Sequence, residues 1–212
     1  MIIANKKYLK KVLPRITKDI EELSNLKADL NNLEIKLINP IFLMLDEKGS
    51  LKDRFIESFF KLGSHISYNN TSTKSLEFPQ FYYGNLDSLH STIGHEILHN
   101  AQVNMFPEID LKQDILELKA MFYQEEREKY HSLQLLIEGD ARLIENQFIK
   151  KYSLNPQLKL PKWIGDKRKK EVSTVYSIGE RKLLDEFGGD RDKINRLYTK
   201  SIDEIHEIFG SK

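Results

Sequence analysis

At 212 residues, with 33 Lys and Arg against 32 Asp and Glu, the chain can bury a sizeable core and has no charge excess to draw it to nucleic acid or an anionic membrane surface. Its 40% hydrophobic and 31% charged residues, with only 10 Gly and 6 Pro, are the composition of a folded globular chain and not of a disordered one. Cys is absent, which excludes disulfides, thiolate ligands and Cys nucleophiles and leaves His, Asp and Glu to build any transition-metal site.

The opening MIIANKKYLKKVLPRI scatters Lys among its apolar residues and makes a poor signal peptide. No stretch reaches the roughly 18 apolar residues of a membrane span. The expectation is a cytoplasmic protein with neither membrane nor nucleic acid as partner. Ile16, Ile20, Leu23, Leu26, Leu30, Leu33 and Leu37 recur at spacings of three and four, which predicts one long helix over 15–38. INPIFLML (38–45), where Asn39 precedes a proline, reads as a short buried strand, and SLKDRFIESFFKL as a helix capped by Ser50 and ended by Gly63. SHISYNN and SLEFPQFYYG read as two strands joined by a polar turn from Asn69 to Lys74. Pro79 lacks a ladder donor and argues for an edge position for the second strand.

A helix from Leu86 to about Asn104 follows, with Pro107 just past its end. Residues 111–130 predict a charged helix and 131–151 a central, mostly apolar one. NPQLKLPKW reads as a loop, the basic run DKRKKE (166–171) as solvated loop, and two last helices divide at Gly188-Gly189. No internal repeat or second domain is evident. The expected organisation is one domain over 1–212, with an N-terminal helical segment (1–40), a part carrying the sheet and the main helices (41–150) and a helical C-terminal segment (151–212).

The chemistry concentrates in STIGHEILHNAQ (91–102). Four residues turn a helix by about 400°, so His95 and His99 project from one face, one turn apart. Two imidazoles so placed can grip one Zn²⁺ at about 2.0–2.1 Å. Glu96, about 100° round the helix, is suited to take a proton from a water that the metal acidifies. Ser88, Ser91, Thr92 and Gln102 share the histidine face, with Leu86, Ile93 and Ile97 opposite. The plain alternative is a chance HExxH on a solvated helix face.

A third ligand is sought in LLIEGDARLIEN, where Glu138 lies in an otherwise mostly apolar helix. A buried carboxylate there is costly without a partner, and a metal would offset that cost; the alternative is a buried salt bridge. Asp140, about 200° away, cannot face the same ion and is left to orient a histidine N–H or a neighbouring helix end. His131 is a competing ligand. Tyr82 and Tyr83 read as one packed and one exposed ring in preference to substrate contacts.

HExxH followed by a helix with E-G-D-A resembles the gluzincin type of zincin metallopeptidase. The closest likeness is to a little-characterised set of prokaryotic proteins read as metallopeptidases, with HEhxHxxQ…EGDA (h for an apolar residue), here HEILHNAQ and IEGDARLIE. YSIGERKLLDEFGGDRDKINRLYTKSIDEIHEIF is similar to the same set. The resemblance spans roughly 76–208 and leaves the N-terminal helix outside.

It implies His95, His99 and Glu138 as ligands to one Zn²⁺ per chain, Glu96 as the base, a peptide or protein substrate, and Tyr176 or His206 as the oxyanion donor. It also implies an edge strand from SLEFPQFYYG beside the site. Thermolysin-like gluzincins carry an acid four positions after the ligand glutamate, whereas position 142 is Arg, and the interval from His99 to Glu138 is longer here. The expected fold is α+β, mainly α, zincin-like, with a small sheet packed on the HExxH helix and a helical C-terminal part. A zinc-bearing scaffold without catalysis, serving as a binding module, is the rival reading, and an interaction protein built on the 15–38 helix is a third.

Overall fold

The structure, a computed structural model, describes residues 2–3, 5–31, 33–38, 67–69, 74–79, 81–82, 84–157 and 162–210. Helix α1 (Lys6–Ser24) opens behind Asn5, whose side chain accepts from the Lys7 N–H, and stops where Asn25 turns left-handed at φ 56°. The 15–38 helix of the sequence reading is therefore cut short, and residues 34–38 form a strand. The reason is visible in the pattern: Leu33, Ile35 and Leu37 alternate, and all three contribute to the core that α1 faces. INPIFLML beyond Ile38, the helix expected over 50–62, and Tyr83 lie outside the described residues.

Strand β1 (Ile2–Ile3) pairs with β5 (Phe81–Tyr82), antiparallel, with Ile2 opposite Tyr82. A second sheet has the order β2-β4-β3, from β2 (Glu34–Ile38), β3 (Ser67–Asn69) and β4 (Ser75–Pro79). The expected pair of strands across the polar turn is present, antiparallel, with Tyr68 opposite Leu76. The edge position expected for SLEFP is not: β4 lies in the middle, parallel to β2 on its other side. Pro79 is tolerated there because it is the last residue of the strand.

Helix α2 (Leu86–Met105) is capped by Asn85, whose Oδ1 accepts from the Ser88 N–H at 2.9 Å and the Ser88 hydroxyl at 2.8 Å. Helix α3 (Glu108–Ala120) ends at the turn Met121–Tyr123, and α4 (Gln124–Tyr152) then runs unbroken for 29 residues. The boundary expected near 130 thus falls at 121–123. α5 (Lys162–Phe187) includes the DKRKKE run, which is helical and not a loop. After Gly188 and Gly189, at φ 61° and 75°, come α6 (Arg191–Leu197) and α7 (Ile202–Phe209); three helices occupy the C-terminal part where two were expected.

The fold is α+β and mainly α. Among the described residues no helix is long and apolar enough to cross a membrane. Two apolar clusters fill it. One joins α1, the β2-β4-β3 sheet, the back of α2 through Leu89, Ile93 and Ile97, and the late part of α4 through Ala141, Ile144 and Phe148. The other joins α3, the early part of α4, and α5 to α7. α4 packs on α1, α2, α3, α5 and α7.

Its tightest crossing is with α5. A Cβ on Gly139 would lie 2.6 Å from the Gly179 Cα, and one on Gly179 would lie 2.8 Å from the Gly139 Cα. Backbone meets backbone there, and this closeness sets Tyr176, almost one turn before Gly179, against α2. Gly179→Ala should lower the melting temperature, since overpacking costs about 1–3 kcal/mol and each kcal/mol is worth roughly 2–4 °C at this size. A melting curve superimposable on the wild type would contradict the close crossing.

Candidate metal centre

The histidine face of α2 turns away from the first apolar cluster because the opposite face is committed to it. Ile93 and Ile97 are fully buried, and Gly94 lets Ile20 of α1 approach closely, its Cδ1 3.1 Å from where a Cβ would sit. Leu86, expected on that apolar face, is exposed at the helix start. His95 and His99 consequently meet α4. Their Nε2 atoms are 3.1 Å apart, and each is 3.4 Å from the Glu138 Oε2.

A tetrahedral ion held at about 2.0–2.1 Å has donors about 3.3–3.4 Å apart, close to this triangle. Glu138 Oε2 is buried without a hydrogen-bond partner, and such an atom is costly unless something cationic meets it. Two neutral imidazoles and a carboxylate are a donor set that divalent transition metals accept. His95, His99 and Glu138 thus form a group able to hold a metal ion, and the residues fit one. Among the described residues it is the one such group.

The surroundings fix which ring nitrogens face the site. Gln102 places its Nε2 near three acceptors: the Tyr198 hydroxyl at 2.7 Å, Asp140 Oδ2 at 3.2 Å and the Ile137 carbonyl at 3.3 Å. Its Oε1 therefore points to His99 Nδ1, 2.9 Å away, and must accept from it. That assigns the proton of His99 to Nδ1 and leaves the Nε2 lone pair directed at the cluster. On His95 the corresponding partner is Glu145, with Oε2 3.6 Å from Nδ1. Glu145 is held in turn by Arg142 at 2.8 Å and by the Ser91 hydroxyl.

Asp140, fully buried, is ion-paired to Arg191 and accepts from the Tyr198 hydroxyl at 2.9 Å. Arg191 Nε also donates to the Ser24 carbonyl at the end of α1, at 3.1 Å. Asp140 therefore touches no histidine; it reaches His99 through the Gln102 amide and the end of α1 through Arg191.

Tyr176 comes to the cluster, its ring centroid 5.7 Å from that of His95. His206 does not: its Nδ1 is 2.9 Å from the Ser132 hydroxyl, and six residues of α4, roughly 9 Å of helix rise, separate Ser132 from Glu138. His131 is exposed beside His206, in a cavity of about 670 Å³ that also takes in Tyr130, Gln134 and Val175. Tyr82 is buried, its hydroxyl 3.2 Å from the Thr92 Oγ1. The sequence reading missed Glu145, Arg191 and Tyr198. Glu145 had a signal, since it lies seven residues, almost two whole turns, after Glu138 on one face of α4; Arg191 and Tyr198 had none.

Without a metal the cluster holds a proton. Burial pushes the His95 pKa down, but the carboxylates of Glu138, Glu145 and Glu96 outweigh it and raise the value to about 10. Burial pushes Glu138 up, and His99 and His95 together hold it well below the usual carboxylate range. Glu145 is likewise brought down to about 2, mainly by His95 against the effect of burial.

No protein-family model matches the chain, and no curated protein or solved structure shows significant similarity to it.

Two outcomes follow for a divalent ion. A raised His95 pKa stabilises the metal-free fold fully below the ordinary histidine value, and that contribution fades as pH rises through about 10. An incoming ion must displace the proton, so affinity should rise about tenfold per pH unit from pH 7 to 9, with about one proton released. Titration calorimetry in buffers of different ionisation enthalpy checks this, and heats independent of buffer would contradict it. Gln102→Ala should weaken binding by about 10–100-fold, the usual effect of losing a group that orients a ligand; unchanged affinity would remove Gln102 from that role.

Proposed function

We propose that the protein is a zinc-dependent peptidase of the gluzincin kind, holding one Zn²⁺ per chain on His95, His99 and Glu138. The observation that carries the reading is the triangle of donors, 3.1, 3.4 and 3.4 Å on its sides, with a buried and unpartnered carboxylate oxygen at one corner. Bound there, zinc supplies a Lewis acid and lowers the pKa of water. His99 and Glu138 keep side-chain exposures of 16% and 20%, which supports access from solvent of the sort a catalytic site needs and a closed structural site does not.

The chain's own groups supply the remaining chemistry. Glu96 follows His95 directly on α2, and its charge reaches both imidazoles. As general base it takes the proton of the attacking water and returns it to the leaving amine. Tyr176, beside the His95 ring, is the oxyanion donor, its hydroxyl offering a hydrogen bond as charge develops on the carbonyl oxygen. His206 is left out of that role by its place at Ser132. Gln102 and Glu145 hold the imidazole planes.

An extended peptide substrate pairs with the outer edge of β3, the strand of the sheet set against α2, since both sides of β4 are already hydrogen-bonded. A small sheet sharing its core with the HExxH helix, and a third ligand from a later helix, support a zincin architecture.

Elemental analysis should find about one zinc per chain in the wild type and little in Glu138→Ala, because losing one of three protein ligands opens the site. Glu96→Gln should keep its zinc while hydrolysis of a peptide library falls by about 10²–10⁴-fold. Activity surviving in Glu96→Gln would overturn the assigned base. Zinc-loaded wild type that cleaves no peptide would overturn the peptidase and leave a zinc-bearing scaffold in its place.

A further inference from the structure

Helix α3 is apolar on two faces. Ile109, Leu116 and Ala120 face inward and are buried. Leu111, Ile115 and Leu118 face outward, at 62%, 43% and 62% exposure, and the turn that follows exposes Met121, Phe122 and Tyr123 at 63%, 80% and 64%. A helix on the surface of a domain ordinarily keeps one apolar stripe and turns polar residues to water. Six large apolar side chains exposed between Leu111 and Tyr123 are more than the single scattered hydrophobics of an ordinary surface and mark an interaction site.

The spacing is specific. On the helix itself Leu111, Ile115 and Leu118 follow one another at intervals of four and three, the d-a-d spacing of one heptad with Leu at the d positions and Ile115 at a, the choice that favours two strands, and Phe122 extends the apolar stripe from the turn past Ala120. In that register Asp114 is at g and Lys119 at e. Two copies of α3 side by side and parallel would set Asp114 of one opposite Lys119 of the other, and that pairing across both sides of the seam gives the orientation. Among the described residues Lys119 makes a loose contact to Glu126 at 3.8 Å, with 55% of its side chain exposed.

We propose that this stripe is a dimerisation surface whose occupant is the same stripe of a second copy of this chain. A two-fold axis along the seam is self-complementary, so that the stripe of one copy covers that of the other and Asp114 and Lys119 pair on both sides. Asp110, Asp114 and Glu117 on the same helix disfavour an anionic lipid surface as the occupant. The proposal is independent of the peptidase reading.

Sedimentation equilibrium of the full chain across the micromolar range tests it, with zinc content and helical circular dichroism as controls on folding. The wild type should associate to dimers. Leu118→Glu should be monomeric with unchanged controls, because Leu118 touches neither core nor metal cluster. Asp114→Lys should raise the dissociation constant at least tenfold, and Asp114→Lys with Lys119→Asp should recover most of the loss. A wild type monomeric throughout overturns the proposal, whether the stripe is then found to take up lipid vesicles or another segment of the chain. Dimers that persist in Leu118→Glu overturn it too, because the interface would lie elsewhere.

Discussion

The structure turns on a buried carboxylate oxygen that, among the described residues, only two imidazoles approach. Glu138 Oε2 is buried facing two imidazole nitrogens, and a charge in that position is stable only if the matrix round it supplies positive charge. Three successive residues of α4 divide the labour. At about 100° per residue, Glu138, Gly139 and Asp140 point in three directions. Glu138 meets the histidines, Gly139 lets the α5 backbone come to contact, and Asp140 locks onto Arg191 and Tyr198. The segment EGDA is thus legible as a junction: one acid for the two histidines, no side chain for a helix, one acid for an arginine.

The cluster lies where α2 faces α4, among the buried or half-buried polar groups of Ser91, Gln102, Asp140 and Glu145, with the hydroxyl of Tyr198, itself packed in the second apolar cluster, joining them. Replacing such groups by apolar ones of matching shape is often neutral or stabilising, so their presence is not explained by stability. They do determine geometry. With its amide nitrogen committed to Tyr198 and Asp140, Gln102 can offer His99 only an oxygen, which puts the His99 proton on Nδ1 and turns its Nε2 lone pair toward His95 and Glu138. The apolar residues set the helices at the right distance, and the polar ones set which atom of each ring looks inward.

How much of this the sequence carried depends on how local the signal was. α2 was legible at both ends, beginning at Leu86 and stopping short of Pro107, and the spacing of His95 and His99 carries their juxtaposition by helix geometry alone. Glu138 was legible because a carboxylate stood out against an apolar background. The 15–38 segment misled because Leu33, Ile35 and Leu37 keep feeding the same core after the chain turns at Asn25; apolar residues in helix and strand merged into one run. The break between α3 and α4 carries neither Gly nor Pro and is flanked by charge on both sides, so periodicity could not locate it. Arg191 and Tyr198 reach Asp140 from 51 and 58 residues away, a distance across which no pattern in a single sequence points.

The chain of contacts from His99 through Gln102, Asp140 and Arg191 to the Ser24 carbonyl ties the last turn of α1 to the histidine cluster through three intermediate residues. Coupling of this kind is reciprocal. Were an ion held there, free energy gained from finding His99 already oriented would be returned as protection of α1 against fraying, and a change that pulled the N-terminal helix away would loosen the ion by the same factor. The N-terminal segment, which the family resemblance leaves outside, is in this way a handle on the centre of the molecule.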